Sequence, residues 1–290
     1  MKTFRFYLLG YKGLKILQAL SKEEISLIDD VVIAKDRAVI NDYSQEIEDF
    51  CKKINLRYYF RNNEPNSQSD YLIAIGWRWL LKTIRNNIIV FHDSLLPRLR
   101  GFNPLVTALI NGDTEIGATV LLANKEFDRG PILCQKAIQI QYPIKIKDAI
   151  ELVAEIYAEM IKEVIFNIRE NSLVFKEQIE EHATYSLWRD EEDYRINWNW
   201  DAIKIKRFID SIGKPYRGAK TIIEEKEVRI FDAEIVQDVN IENRVPGKVL
   251  FKDNDGLTIT CGNGLVKIKN FYLDEKLLLD YSKLFRLRFQ

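Results

Sequence analysis

The sequence predicts an α/β protein whose first half forms a mostly parallel sheet and whose last part forms a small β-barrel. Two observations carry this prediction. Strand and helix patterns alternate as far as Arg169, which is typical of a parallel sheet covered by helices. From Lys220 onward, short strands recur with Gly, Pro, Asn and Asp turns between them. That pattern indicates a small barrel of the OB type.

The strands of the first half are short apolar runs bounded by turn residues. They are predicted at Phe4–Leu9, Val31–Ala34, Tyr58–Arg61, Tyr71–Ile75, Asn87–Phe91, Gly117–Leu122 and Ile132–Ile140. Helical spacing of apolar residues predicts helices at Leu14–Leu20, Tyr43–Ile54, Leu105–Ile110 and Asp148–Arg169. The glycines of Gly10–Gly13 indicate a tight strand-to-helix turn rather than a phosphate-binding loop.

The second half is organised differently. Glu177–Trp200 is polar and aromatic without a clean period, so it is interpreted as an extended connection. Strands are predicted after it at Lys226–Ile230, Lys248–Phe251, Leu257–Thr260 and Leu265–Phe271. We therefore expect a first domain over residues 1–188, a linker over 189–204 and a barrel domain over 205–290.

Composition excludes several classes of function. Lys and Arg number 43, as do Asp and Glu, in 290 residues. This balance argues against nucleic acid as the main partner. The three cysteines are far apart, so neither a zinc site nor a disulfide framework is indicated. No apolar run reaches the roughly 18 residues of a membrane helix, and Met1–Leu9 is too short and charged for a signal-peptide core. We expect a cytoplasmic protein.

One histidine stands where chemistry is usual. The chain has only His92 and His182, and His92 follows the predicted strand Asn87–Phe91 directly. Ligands of open parallel sheets bind outside the carboxyl ends of the strands. By its position alone, His92 is more simply interpreted as a partly buried structural histidine.

A carboxylate occupies a comparable place. Asp128 begins the sharp turn Asp128–Pro131 between two predicted strands. By itself it is best interpreted as bracing that turn through its side chain. Beside an imidazole, it would instead orient the ring and raise the pKa of the ring. Spacing alone does not establish such a pair.

Three motifs occur in order around these two residues. His92–Gly101 with Pro104 resembles the HxSLLPxxRGxxP signature of the folate-dependent formyltransferases. Asn111–Thr119 resembles the NGxxxxGxT segment of that family, and Asp128–Ile132 resembles its DxGxI turn. Weaker similarity continues through Arg189, Asn197-Trp198 and Pro215–Ala219, so the resemblance covers nearly the whole chain.

The resemblance implies a Rossmann-like formyltransferase core with a C-terminal OB-like domain. It also implies transfer of a formyl group from 10-formyltetrahydrofolate to a primary amine through a tetrahedral intermediate, without a metal. His92 would donate a hydrogen bond or proton to the oxygen of that intermediate, and Asp128 would orient and charge the imidazole. Most of the acceleration would come from positioning and from stabilising the oxyanion.

The resemblance further implies that backbone groups of two loops hold the pterin ring. These residues are Trp79, Leu80 and Leu81 in one loop and Asn124, Lys125, Glu126, Phe127 and Asp128 in the other. For Trp77 and Trp79, ordinary packing is an equally weighted interpretation. Ser94 is expected to brace the turn after His92.

One position departs from the family pattern. Val90 stands where the family has the Asn that donates to the oxyanion, and loss of such a donor costs about 100- to 1000-fold in rate. Asn103 supplying the donor is the favoured explanation. The alternatives are that His92 suffices alone, or that the chain keeps the fold without catalysis. Asn86 and Asn87 lie farther from the strand end and are poorer substitutes.

The acceptor amine is open among three classes. A nucleotide-linked amino sugar is favoured, because the chain lacks net positive charge and a basic insertion between His92 and Pro104. Asp93 and Asn103 also resemble the sugar-modifying branch more than the tRNA branch. The alternatives are methionyl-tRNA and a catalytically idle binding module of the same fold. Assembly as a homodimer is left open.

Overall fold

The computed structural model describes residues 2–81, 87–273, 276–278 and 286–290. The chain forms two compact units. The first contains residues 1–105, 115–140 and 148–188, and the second contains residues 106–114, 141–147 and 189–290. Each unit is therefore assembled from more than one stretch of chain, and each is described by itself below.

The first unit is built on a seven-stranded sheet. The strands of this unit, in chain order, are β1 (Phe4–Leu8), β2 (Ile28–Ile33), β3 (Tyr58–Phe60), β4 (Tyr71–Ile75), β5 (Ile88–His92), β6 (Arg100–Gly101), β7 (Glu115–Leu122), β8 (Ile132–Gln139) and β9 (Tyr185–Ser186). The sheet has the order β3-β2-β1-β4-β5-β7-β8, and β6 pairs with β9 in a separate two-stranded ladder. The first five strands in this order are parallel, whereas β7 and β8 are antiparallel.

The central strands are apolar along their length because both faces of the sheet are covered. All five residues of β1 are buried. One of them is charged: Arg5, 2% exposed, donates through Nε to Asp30 Oδ1 at 2.5 Å and through Nη2 to Asp30 Oδ2 at 2.9 Å on β2. This bidentate pairing compensates both buried charges.

Helices connect and cover the strands. They are α1 (Gly10–Ala19), α2 (Lys22–Ile25), α3 (Ser44–Lys53), α4 (Pro104–Asn111) and α5 (Ile146–Arg169). α5 presents the apolar stripe that its sequence predicts, with Val153, Tyr157 and Ile161 fully buried. In the described residues, no helix is both long and apolar enough to cross a membrane.

The strands of the second unit pair antiparallel, and besides most of α4 its described residues form the helix α6 (Ala202–Ser211). Its strands are β10 (Ala219–Ile223), β11 (Lys226–Ile230), β12 (Glu234–Val236), β13 (Val249–Asp253), β14 (Gly256–Thr260), β15 (Leu265–Ile268), β16 (Phe271–Leu273) and β17 (Lys276–Leu278). They form two four-stranded sheets of order β10-β11-β16-β17 and β12-β15-β14-β13. Trp198 is buried in this unit and donates through Nε1 to Thr221 Oγ1 at 3.1 Å.

The fold class that the sequence predicts is confirmed, and particular elements differ. The predicted strand Leu265–Phe271 is two strands, β15 and β16. Within the predicted linker 189–204 the chain forms a 3-10 turn at Glu192–Tyr194 and starts α6 at Ala202. The expected extended connection also contributes β9, so the part before residue 189 is not a free linker. The domain limits 1–188, 189–204 and 205–290 stay a prediction.

Candidate active site

His92 is the last residue of β5, a central strand flanked by the parallel β4 and the antiparallel β7. Its side chain is 7% exposed. Ring nitrogen Nε2 lies 2.9 Å from the carbonyl oxygen of Leu99. A carbonyl only accepts, so Nε2 is the donor in this contact. The second ring nitrogen, Nδ1, consequently faces the other side of the site.

Asp128 lies on that other side, in the loop between β7 and β8. Its Oδ1 is 3.6 Å from His92 Nδ1, and its side chain is 12% exposed. Its Oδ2 accepts a hydrogen bond from the backbone N–H of Gly101 at 2.7 Å. The carboxylate is therefore held by a residue 27 positions away and directed at the imidazole. This is a different role from bracing its own turn.

The turn that carries Asp128 depends on an unusual backbone. Asp128 has φ of 56°, in the left-handed region that Asp and Asn tolerate better than most residues. Two residues later, a Cβ on Gly130 would lie 1.7 Å from the carbonyl oxygen of Leu122. No side chain fits there, so the glycine of the DRGP turn is required for close packing against β7.

Hydrogen bonds fix the segment that follows His92. Ser94 Oγ donates to the Arg98 carbonyl at 2.7 Å, as expected for a residue bracing this turn. The fully buried Thr119 of β7 donates to the Ser94 carbonyl at 2.6 Å and accepts from the Leu96 amide at 3.0 Å. These bonds also hold the backbone that presents the Leu99 carbonyl to the His92 ring.

A glutamine that the sequence reasoning missed clamps the Asp128 loop. Gln178 Nε2 donates to the carbonyls of Asp128 and Gly130 at 2.7 and 2.8 Å. Its Oε1 accepts from Arg100 Nε at 3.1 Å and Nη2 at 2.9 Å. Arg100 is 1% exposed, so this amide satisfies a buried cation and two loop carbonyls at once. Gln178 lies in the stretch expected to be an extended connection, where spacing carries no signal of such contacts.

Val90 and Asn103 bear on the missing oxyanion donor. Val90 is partly buried on β5 and packs against two apolar clusters, one including Tyr7 and Ala74 and the other including Leu96. Asn103 has φ of 49° and directly precedes α4. Its role as donor stays a prediction. Asn86 lies outside the described residues.

The first predicted folate loop contains packed aromatic rings and lies next to a buried polar group. The Trp79 ring lies 4.0 Å from the Arg61 guanidinium and 5.2 Å from the Trp77 ring. Leu80 is 66% exposed, whereas Leu81 is partly buried against the cluster that includes Tyr7. Trp77 Nε1 is buried and has no hydrogen-bond partner among the residues that the structure describes. An orphaned buried donor next to a loop is an unusual feature that a bound polar molecule would explain.

The second predicted folate loop is ordered by local contacts. Asn124 Oδ1 accepts from the Glu126 amide at 2.9 Å, and Glu126 pairs with Arg129. Lys125 is exposed, and the Phe127 ring is 50% exposed, 5.9 Å from the ring of Phe102. The side chains of Lys125, Glu126 and Phe127 thus point largely to solvent or to neighbouring side chains, whereas the Glu126 amide and the Asp128 carbonyl are bonded within the protein.

Comparison with known proteins identifies the family. Residues 68–165 match the family described as formyl transferase, and residues 189–288 match the formyl transferase C-terminal domain. A methionyl-tRNA formyltransferase of Legionella pneumophila subsp. pneumophila is 30% identical over 239 residues, which cover 79% of this chain and 73% of that protein. The chain belongs to the folate-dependent formyltransferase family.

Other family members give the range of similarity. The methionyl-tRNA formyltransferase of Caldanaerobacter subterraneus subsp. tengcongensis is 33% identical over 177 residues, or 61% of this chain and 56% of that protein. For this and two further curated relatives the match spans 56–60% of their length. The family resemblance of the sequence is confirmed, and it extends over both units.

Two solved structures share the fold. WlaRD, a sugar 3N-formyltransferase crystallised with dTDP and 5-N-formyl-THF, superposes with a TM-score of 0.70 at 18% identity, covering 93% of this chain and 98% of that one. The N-formyltransferase of Helicobacter canadensis, in complex with folinic acid and dTDP-3-aminofucose, has a TM-score of 0.69 at 15% identity and covers 94% and 100%. At these identities the likeness establishes architecture.

Proposed function

We propose that this formyltransferase family member transfers a formyl group from 10-formyltetrahydrofolate to the primary amine of a nucleotide-linked amino sugar. The observation that carries the proposal is the approach of Asp128 to His92 at the carboxyl end of β5. Aqueous formyl transfer to an amine needs a group that stabilises charge on the formyl oxygen and a group that handles the amine proton. An imidazole and a carboxylate at this distance suit both tasks.

The two ring nitrogens of His92 have different assignments. Nε2 is engaged by the Leu99 carbonyl, and Nδ1 faces the side of the site that carries Asp128, whose Oδ1 lies 3.6 Å away and outside hydrogen-bond distance. The Gly101 N–H is engaged by Asp128 and is not a free oxyanion donor. His92, through Nδ1, therefore stabilises negative charge that develops on the formyl oxygen. Asp128 keeps the imidazole oriented, and it is the acceptor for the amine proton, directly or through water.

The folate loops fit a pterin ring in their chemistry. When bound, 10-formyltetrahydrofolate supplies the activated, amide-like formyl group. The residues proposed to hold it are Trp79–Leu81 and Asn124–Asp128. Near the first loop, Trp77 Nε1 is a buried donor that has no acceptor among the described residues. A pterin offers complementary acceptors, so its binding would satisfy a group that is costly to leave unpaired.

Charge supports a sugar nucleotide over tRNA as the acceptor. Residues 189–290 contain 19 Lys and Arg against 18 Asp and Glu. A protein that neutralises several phosphates of a nucleic acid needs a surplus of cations on the contacting surface. The solved structures of two sugar N-formyltransferases with thymidine nucleotides show that this architecture accommodates such acceptors in those proteins.

Methionyl-tRNA is the second candidate acceptor, because the curated relatives in the 25–33% identity range are named methionyl-tRNA formyltransferases. The deciding experiment offers purified protein 10-formyltetrahydrofolate with a panel of nucleotide-linked amino sugars and, separately, with methionyl-tRNA. We expect turnover with at least one sugar nucleotide. Turnover with the tRNA alone would refute the proposed acceptor. Folate binding without turnover on any amine would establish the idle module.

A further inference from the structure

A buried charged network lies directly behind His92. Asp93, the next residue, accepts a hydrogen bond from the Tyr157 hydroxyl through Oδ1 at 2.5 Å and pairs through Oδ2 with the ammonium of Lys12. Tyr157 is fully buried, and the side chains of Lys12 and Asp93 are 13% and 19% exposed. The network joins the first turn of α1 and the middle of α5 to the end of β5.

The network also contacts the residue that precedes His92. The Tyr157 ring lies 5.0 Å from the ring of Phe91, which directly precedes His92. Lys12 Nζ lies 5.6 Å from the centre of the Tyr157 ring. Burial raises the pKa of Tyr157 well above its usual value, and the charges of Asp93 and Asp128 add to that rise. The hydroxyl therefore lies within the field of both carboxylates.

Within the network, the Lys12 ammonium compensates the charge of the Asp93 carboxylate. Two carboxylates, Asp93 and Asp128, stand near one imidazole, and only one of them faces its Nδ1. Burial by itself would raise the pKa of Asp93, but the Lys12 ammonium, the Tyr157 hydroxyl and His92 outweigh burial and lower it. With Lys12 removed, Asp93 would be an uncompensated carboxylate next to His92 and would compete with Asp128 as a partner of the ring.

Stability alone does not account for these residues. A buried ion pair contributes little over apolar side chains of similar volume, because desolvation offsets its attraction. The same two helices are also joined by the more exposed pair Lys15–Glu155, with Nζ and Oε1 2.5 Å apart. The geometry points to Lys12, Asp93 and Tyr157 as positioning residues that hold His92 toward Asp128. This inference rests on the proposed formyl transfer.

The test uses the scarcity of histidine. The chain contains two histidines, so protein labelled with 13C-histidine gives one ring signal for His92 and one for the exposed His182. We expect Tyr157→Phe, which removes a single oxygen, to shift the His92 signal and its titration curve while His182 is unchanged. The titratable groups of the site and of the network around His92 are Asp128, Asp93, Lys12 and Tyr157. We expect kcat to fall about 10- to 100-fold with KM within about 2-fold.

Charge variants sharpen the test. Lys12→Met is expected to lower kcat more than the double variant Lys12→Met/Asp93→Asn does, because the double variant leaves no charge unpaired. The matched controls Lys15→Met and Glu155→Gln break the other tie between α1 and α5, and both should leave kcat and the His92 signal as in the wild type. Unchanged His92 signal and kcat in folded Tyr157→Phe and Asp93→Asn would overturn the inference, as would equal changes in the controls. If the wild type transfers no formyl group, the proposed function fails and the NMR comparison alone decides this inference.

Discussion

The Asp128 carboxylate reaches the His92 ring from 36 residues away in sequence and lies with Oδ1 3.6 Å from Nδ1. That separation exceeds hydrogen-bond distance, yet the other carboxylate oxygen is fixed by the Gly101 amide at 2.7 Å. The two side chains thus face each other without forming a hydrogen bond, as catalytic contacts commonly do in the absence of substrate.

Replacing His92 by Gln should reduce kcat about 100- to 10,000-fold, because the site loses its general acid and its charge stabilisation together. The matched control is His182→Gln, at an exposed residue of a 3-10 turn, which should leave kcat unchanged. Steady-state formyl transfer at saturating folate measures both. A His92→Gln protein with wild-type turnover would rule out the mechanism.

Asp128→Asn should separate charge from structure. The amide oxygen of Asn can still accept from the Gly101 N–H, and Asn tolerates the φ of 56° at this position. We expect a folded protein of near wild-type stability with kcat lowered about 100-fold. Asp128→Ala should additionally lose about 1–3 kcal/mol in the free energy of unfolding, because the Gly101 N–H loses its partner. Urea denaturation measures the stability of both variants, and steady-state kinetics measures their kcat. Equal kcat values for Asp128→Asn and wild type would contradict a role based on the charge of Asp128.

The position of Val90 allows a direct test of the missing donor. Val90→Asn restores the residue that the family uses, at a cost of about 1–3 kcal/mol in stability because an amide replaces an apolar side chain against two apolar clusters. If Asn103 supplies the donor, kcat of Val90→Asn should stay within about 3-fold of wild type, and Asn103→Ala should lose about 100-fold. Full activity of Asn103→Ala would remove Asn103 from the mechanism. A large rise in kcat for Val90→Asn would show that the natural site works without this donor.

The sequence predicts some elements of the fold and of the site better than others. The strands around β1, β4 and β5 are continuous apolar runs, and the motif residues His92 and Asp128 meet as predicted. The antiparallel pairing of β7 and β8 is indicated by the length of the connection between them. Nine residues separate Leu122 from Ile132, which is short for the crossover that parallel strands require.

Other features had weak or absent signals. α6 carries apolar residues at Ala202, Ile205, Phe208 and Ile209, and the Asp201 side chain caps its start by accepting from the Lys204 amide at 2.7 Å. That pattern predicts a helix, although the polar linker before it obscured where the helix begins. The Gln178 and Tyr157 contacts have no sequence signal, because hydrogen bonds between residues 48 to 64 positions apart depend on tertiary packing.

Alkaline pH should destabilise the protein partly through its buried thiols. Burial raises the pKa of Cys51 to about 12, so the folded protein keeps a proton that the unfolded chain releases above about pH 9. The unfolded state then binds fewer protons, and stability falls as pH rises from about 9 toward 12, by up to about 1.4 kcal/mol per pH unit for this thiol. Urea unfolding at pH 8, 9 and 10 should show a shallower decline for Cys51→Ala than for wild type. Parallel declines would mean that Cys51 does not contribute.

The Gln178 clamp should matter for both stability and catalysis. Gln178→Ala leaves the carbonyls of Asp128 and Gly130 without their side-chain donor and the buried Arg100 without the acceptor for its Nε. Each unsatisfied buried group costs about 1–3 kcal/mol, less whatever water recovers.

Because the freed loop carries Asp128 and part of the proposed folate site, we also expect kcat to fall about 10-fold and KM for the folate to rise. Gln139→Ala is the control, since its exposed side-chain amide donates to the exposed Glu115 at 2.7 Å. Surface changes of this kind stay within about 0.5 kcal/mol. A Gln178→Ala protein that loses stability but keeps kcat and KM would restrict the clamp to a structural role.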